Sequence, residues 1–268
     1  MGGGYLILTR HEQASLPTHF RQKINMTDKK VWLITGASRG IGAALARRII
    51  KDGDRVAILA RGNEVHTLAK ELGEDCLACQ ADISQRDSVN TAVDQVLQQW
   101  QRIDRVINNA GTHKGGKIGR LKLENWQQVI DVNLTGTLNV ITACAEHMER
   151  GGSIVNIGAV VGFRGFPGDS AYAASKSGVA GLTRALAIEF AARGITCNLV
   201  IPGLVLTEMT GELSEKALES MRKTIPMGRY GDPDEIAEVI EWVANSRYMT
   251  GAFVPADGGL MSSFGIVG

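Results

Sequence analysis

A bias toward one sign of charge is missing from this sequence. Its 29 Lys and Arg stand against 28 Asp and Glu, a formal net charge of +1, and both signs look dispersed along the chain. No cluster resembles the electrostatic footprint of a nucleic-acid binder, so nucleic acid is not an expected partner. Long apolar runs are missing too. None approaches the roughly 18 residues that would cross a bilayer, and the expectation is a soluble, cytoplasmic protein with no membrane partner. Proline is scarce, at 6 residues against 32 glycines, which points to tight turns and close backbone approaches rather than a disordered linker. The 4 cysteines give no disulfide framework. Cys76 and Cys79 form a CxxC, but they lie in CLACQ, which reads as a strand, where positions three apart face opposite sides of a sheet. No second CxxC or nearby His completes a zinc site, so reduced, buried cysteines and no metal are expected.

What is present begins after residue 27. The segment 1–27 has no sustained periodicity, its apolar stretch YLIL is short, and Met26 directly precedes the first strand-like region. It is expected to be an extension outside the domain. From residue 28 to 268 short apolar runs alternate with helical stretches. The runs are VWLIT (31–35), VAILA (56–60), CLACQ (76–80), IDRVINNAG (103–111), SIVNIG (153–158), ITCNLVIPG (195–203) and FVPADGG (253–259). Helices are expected over 64–72, from an N-cap at Ser84 to Gln101, over Glu124–Glu149, over Ala171–Ala192, and from Asp232 with Pro233 at its first position. This alternation predicts a single α/β domain of the Rossmann type, a doubly wound parallel sheet of about seven strands with helices on both faces. Ligands of such sheets lie beyond the carboxyl ends of the strands.

Two motifs sit at those ends. TGASRGIG (35–42) follows the first strand and opens the first helix, where glycines let phosphates approach the backbone and helix amides favour negative charge. At the end of the second strand, ILARGNE carries Arg61 where an NAD-binding protein usually has Asp or Glu. Arg39 in the glycine loop offers a second guanidinium. Two arginines without a carboxylate favour a 2′-phosphate, hence NADP(H) over NAD. In YAASK, Tyr172 and Lys176 are four apart and share a helix face. The ammonium is expected to lower the phenol pKa, making Tyr172 a general acid for carbonyl reduction or a base for alcohol oxidation.

Taken together, TGASRGIG, NNAG (108–111), DVNLTG (131–136), YAASK and PGLVLTEM (202–209) resemble, in order and spacing, the short-chain dehydrogenase/reductase family, from about Lys29 to Leu260. The resemblance implies that Gly36, Gly40 and Gly42, with Ser38 and Ile41, carry the cofactor's pyrophosphate turn. It implies that Asp82 meets the adenine, and that Asn109, Ala110 and Gly111 wall the adenosine ribose. Lys176 would hold the nicotinamide ribose, Asn133 a water that relays protons to Lys176, and Thr207, after Pro202 and Gly203, the carboxamide. One position departs from the pattern. The family places a serine thirteen residues before the tyrosine, and here Ala159 stands there without a hydroxyl.

Within the family the chain is most similar to 3-oxoacyl-(acyl-carrier-protein) reductases and acetoacetyl-CoA reductases, through VNIGAVVGFRG, RGITCNLVIPG, TEMT and IPMGRYGDPDEIAEVI. That similarity implies NADPH-dependent reduction of a 3-oxoacyl thioester, a substrate lid over 204–221, and contacts of Arg150 and Arg193 with an acidic acyl carrier protein. It also implies a homotetramer packed through the 124–149 and 171–192 helices. Ala159 leaves open a non-catalytic NADP-binding subunit of a mixed oligomer, and the substrate class leaves open an enzyme for small keto or hydroxy compounds.

Overall fold

The structure, a computed structural model, describes residues 29–206 and 215–263. The extension 1–27 and Thr207 lie outside the described residues. Seven parallel strands form one sheet in the order β3-β2-β1-β4-β5-β6-β7. They are β1 (Val31–Thr35), β2 (Arg55–Ala60), β3 (Cys76–Gln80), β4 (Arg105–Asn108), β5 (Ser153–Ile157), β6 (Thr196–Pro202) and β7 (Phe253–Ala256). β1 pairs with β2 on one side and β4 on the other, so the chain reverses its direction of winding between them. Such a switch point opens a crevice at the carboxyl ends of the strands.

Period-two alternation divides each strand between two cores. Val31 and Leu33 of β1 enter a core on one face, while Trp32 and Ile34 enter the other. The first core packs against α3 (Arg86–Trp100), α5 (Gly136–Ala145) and α7 (Ser170–Ala191). The second packs against α1 (Gly40–Lys51), α2 (Glu64–Leu72) and α9 (Pro233–Asn245). Both faces are covered, which is why the strands read as continuous apolar runs. Cys79 joins the first core and Cys76 packs on the second, so the CxxC spans the sheet instead of forming a site; all four cysteines are free. Among the described residues no cluster of His, Cys, Asp or Glu could hold a metal, and no helix is long and apolar enough to cross a membrane.

Pro233 does open α9, behind a capping box in which Asp232 accepts from the Asp234 N–H and Glu235 accepts from the Asp232 N–H. Two other helix boundaries need correction. Ser84 is not the N-cap of α3, which is Gln85; its hydroxyl and N–H both donate to Asp82 Oδ1, closing a local turn. The expected single helix over Glu124–Glu149 is broken. α4 (Leu123–Ile130) passes into a π-helical turn at Asp131–Thr135 before α5 begins. α5 also stops at Ala145, where the Arg193 guanidinium satisfies the carbonyls of Ala145 and Met148. A cation on terminal carbonyls stabilises a helix end.

Candidate active site

A cleft of about 870 Å³ crosses the carboxyl ends of the strands. Its wall is contributed strand by strand. After β1 it takes Gly36, Ser38, Arg39, Gly40 and Ile41; after β2, Arg61; after β3, Asp82; after β4, Asn109, Ala110 and Gly111. The segment after β5 adds Ala159, the segment after β6 adds Pro202 and Gly203, and α7 adds Tyr172 and Lys176. A space of this size is within the usual range for a cofactor-sized ligand.

The glycine turn is built for close approach. Gly36 has φ +64°, and a Cβ there would lie 2.6 Å from Ala110 Cα. A Cβ at Gly42 would meet the Gly36 carbonyl oxygen at 2.6 Å. Gly42 is therefore buried beneath the turn rather than lining the cleft. Asn109 braces the same turn, its side-chain amide donating to the carbonyls of Thr35 and Gly36 at 3.0 Å each. Asp82 lines the cleft, but its Oδ1 is already engaged with Ser84.

At the far end of β2 the reading of an absent carboxylate needs amendment. Arg61 is exposed on the cleft wall and forms no ion pair among the described residues, yet Glu64 also lines the cleft. Its carboxylate folds back over Gly62, where a Cβ would lie 1.9 Å from Oε2. Arg61→Asp should therefore weaken NADPH binding by about 10- to 100-fold, the size of a lost charge-assisted contact, and narrow the gap to NADH. Titration of both nucleotides checks this; unchanged relative affinities would remove Arg61 from the phosphate site.

At the catalytic end, the π-helical turn presents Asn133. Its Nδ2 donates to the Thr112 carbonyl and Ser175 Oγ, and its Oδ1 accepts from the Thr112 N–H. A Cβ at Gly111 would lie 3.4 Å from Asn133 Oδ1 and 3.7 Å from Lys176 Nζ, so these two side chains flank one glycine. Lys176 is 4% exposed, and its Nζ donates to the Ile157 carbonyl at 2.8 Å. Burial of the ammonium lowers its pKa to about 8.

The expected lowering of the Tyr172 pKa does not occur. Burial, and secondarily the nearby Asp169 carboxylate, push the phenol up to about 12, while Lys176 Nζ sits 5.6 Å from the ring centroid. The phenol thus stays protonated at neutral pH, which suits an acid more than a base. Asp169 is a residue the motifs did not reveal. It lines the cleft and its Oδ1 lies 2.8 Å from His113 Nε2, while the His113 ring stands edge-on to Tyr172 at 5.3 Å. Asp169 raises the His113 pKa. The GDSAY sequence before the tyrosine held the signal, but nothing in it foretold a partner fifty-six residues earlier.

Lys176 also bears on stability. Its folded pKa of about 8 lies below the model-compound 10.5, so unfolding at lower pH releases a buried charge into water. The penalty is full below pH 8 and fades as pH rises from 8 to 10.5. Lys176→Met should consequently melt higher than the parent at neutral pH, by on the order of 2–4 °C per kcal/mol recovered. The gap should close toward pH 10. A gap independent of pH would contradict the buried-charge account.

Ala159 follows β5, and its carbonyl accepts from the Gly162 N–H at 3.0 Å. Gly162, the second residue of the short helix α6 (Val161–Arg164), packs tightly against Lys176, where a Cβ would lie 3.1 Å from Lys176 Cβ. Position 159 therefore shares the cleft wall with Tyr172 and Lys176. Among the described lining residues the other side-chain hydroxyls are on Ser38, Ser220 and Thr224, none on this turn. Ser220 and Met221 belong to α8 (Glu215–Arg222), within the segment expected to cover the substrate.

Arg150 and Arg193 are not brought to the cleft. They precede β5 and β6, at the amino ends of the strands, and Arg193 is committed to helix-end carbonyls.

With this geometry in place, comparison with known proteins is specific. A family profile described as enoyl-(acyl carrier protein) reductase matches residues 36–261. A 3-oxoacyl-(acyl-carrier-protein) reductase of Thermotoga maritima is 42% identical over 243 residues, 87% of this chain and 98% of that protein. A blue fluorescent protein from a metagenomic library, solved with NADPH, superposes with a TM-score of 0.82 at 36% identity, covering 86% of this chain and 97% of its own. A Serratia marcescens short-chain dehydrogenase/reductase variant gives the same TM-score at 33% identity, covering 87% and 98%.

Proposed function

The chain belongs to the short-chain dehydrogenase/reductase family, and from that premise we propose that it is an NADPH-dependent reductase of 3-oxoacyl thioesters. The observation that carries the reading is the convergence of Tyr172, Lys176 and the glycine turn on one cleft. The turn fits a dinucleotide, since side chains at Gly36 or Gly42 would collide with backbone atoms. Gly36, Ser38, Arg39, Gly40 and Ile41 would hold the pyrophosphate, Arg61 and Arg39 the 2′-phosphate, and Asn109–Gly111 the adenosine ribose. Lys176 would hold the nicotinamide ribose and Thr207 the carboxamide. When bound, the nicotinamide supplies a hydride to the 3-oxo carbon.

The chain's own residues do the rest. Tyr172, protonated at neutral pH, donates its proton to the oxygen as the C–O bond loses its double-bond character. The Lys176 ammonium opposes the build-up of negative charge on the phenolic oxygen. Asn133 holds the water through which the proton is replaced. Position 159 faces the same cleft and supplies no donor, so turnover is set below that of a serine-bearing counterpart.

The test is NADPH oxidation by the purified chain with acetoacetyl-CoA beside small ketones at equal concentration. Preference for the thioester supports the reading; oxidation with small ketones alone would replace it with an enzyme for small keto compounds. Ala159 favours one second reading, a non-catalytic NADP-binding subunit, which predicts nucleotide binding without turnover even after serine is restored. We further propose a cytoplasmic location, and a homotetramer supported by apolar side chains left uncovered on the expected interface helices. Leu138 on α5 is 45% exposed and Ile188 on α7 is 79% exposed. Light scattering of the purified chain reads that state directly.

A further inference from the structure

Asp169 stands at the N-cap of α7, where a carboxylate ordinarily accepts from the amides of the first helical turn. Its side chain makes no such bond, and only its main-chain carbonyl enters the helix, accepting from the Ala173 N–H at 2.7 Å. The carboxylate turns instead to the segment after β4, where its Oδ1 meets His113 Nε2 at 2.8 Å. Beside the pair the two segments are fastened together, the Gly116 N–H donating to the Gly168 carbonyl at 2.7 Å. Gly115 closes over it, since a Cβ there would lie 3.2 Å from His113 Cε1 and 3.6 Å from Asp169 Oδ1. A helix cap has been given up to hold an imidazole in one place.

That place is against the acid of the reaction. The imidazole stands edge-on to the Tyr172 ring, with centroids 5.3 Å apart and planes at 82°. Asp169 lines the cleft, whereas His113 is not among its described lining residues. An effect of the imidazole on the reaction therefore passes through its two neighbours. As Tyr172 gives up its proton, negative charge grows on the phenolic oxygen, and the Asp169 carboxylate opposes it. That carboxylate is already one cause of the raised phenol pKa, after burial. A protonated imidazole offsets it, and the bond to Asp169 in turn favours the protonated form of His113. Lys176 Nζ, 5.6 Å from the Tyr172 ring centroid, is the second cation there. Lys114, next to His113, is exposed, and the Arg164 guanidinium on α6 is turned to the Leu260 carbonyl.

We propose that His113, held by Asp169, is a positioning residue for Tyr172, its ring fixing the phenol's pose and its imidazolium cancelling the carboxylate charge that would oppose proton transfer. This rests on the reductase reading and adds to Lys176 a cation that acts from outside the cleft. The proton still comes from Tyr172, and the imidazole passes none to the substrate.

Reduction of acetoacetyl-CoA is followed against pH in an Ala159→Ser background, with His113→Gln, Asp169→Asn and both together. The starting protein should lose rate as pH rises past the raised His113 value, apart from the Lys176 limb near 8. Glutamine can keep the bond to Asp169 without the charge. His113→Gln should therefore lower kcat about 5-fold on the acid side, the worth of one partly exposed charge interaction, and converge on its parent as pH rises. Asp169→Asn should abolish the same limb, and the double variant should recover the rate lost in His113→Gln. A purely structural histidine would give a loss independent of pH that a second substitution cannot rescue, and that result overturns the proposal while leaving the reductase reading intact. NMR of the His113 Cε1–H signal reads the pair without turnover. Its titration midpoint should fall in Asp169→Asn, and an unmoved midpoint also overturns the proposal. A lowered midpoint with no turnover of any carbonyl substrate would remove the reductase reading and the positioning role together, leaving only the ion pair.

Discussion

Ala159→Ser should raise kcat with acetoacetyl-CoA by about 10²-fold, the usual worth of one donor at a developing oxyanion. Position 159 sits on the cleft wall with Tyr172 and Lys176, and the turn that carries it is locked by the Gly162 N–H and by the contact of Gly162 with α7. A serine there would need no rearrangement of the backbone. The gain should fall mostly in kcat, because a hydroxyl that strengthens its bond as charge develops acts on the transition state more than on ground-state binding. NADPH affinity should be unchanged. Steady-state kinetics of the two proteins separate these terms. A gain confined to KM would mean that the position binds substrate without serving the chemical step.

Tyr172→Phe should lower kcat by about 10²–10⁴, the range for loss of a positioned general acid. The effect is best measured in the Ala159→Ser background, where the starting rate is higher. Phenylalanine keeps the ring that packs against His113 and beneath the Lys176 ammonium, so folding and nucleotide binding should survive. The raised phenol pKa predicts a further asymmetry. A tyrosine held near 12 by burial and by Asp169 is a ready donor at neutral pH and a poor base. Reduction should accordingly proceed at neutral pH, with the reverse oxidation growing only as pH rises. Retention of most of the reduction rate in the phenylalanine variant would transfer the acid role to another group, with the neighbouring His113 first in line.

The sequence made most of the fold legible because the physics involved is local. β-branched runs of four to seven residues, glycine turns and a Pro at the first position of α9 each declare themselves within a short window. The opposite facing of Cys76 and Cys79 was legible for the same reason, since strand periodicity alone sends them to opposite cores. The π-helical turn at Asp131–Thr135 was not legible, because its residues have no periodic mark that separates it from ordinary helix. It is held instead by tertiary bonds, from Asn133 to Thr112 and Ser175. Glycine-loop positions and YAASK were visible as spacing, whereas the electrostatics around them were not. An i,i+4 lysine suggests a lowered phenol pKa, but the observed direction is set by burial and by Asp169. Asp169 in turn meets His113 across the mouth of the cleft, a contact that only the fold creates. Glu64 was not legible because it lies four residues past the end of β2, and only the fold brings the first residue of α2 to the same wall.

The most direct test of the account supplies acetoacetyl-CoA and NADPH deuterated at C4 of the nicotinamide to the Ala159→Ser protein and follows the product by mass spectrometry. The account predicts a 3-hydroxybutyryl thioester carrying one deuterium at C3, formed far more slowly by the parent chain and hardly at all once Tyr172 is replaced by phenylalanine. Saturating NADPH binding with no labelled thioester from either the parent or the serine variant would contradict it.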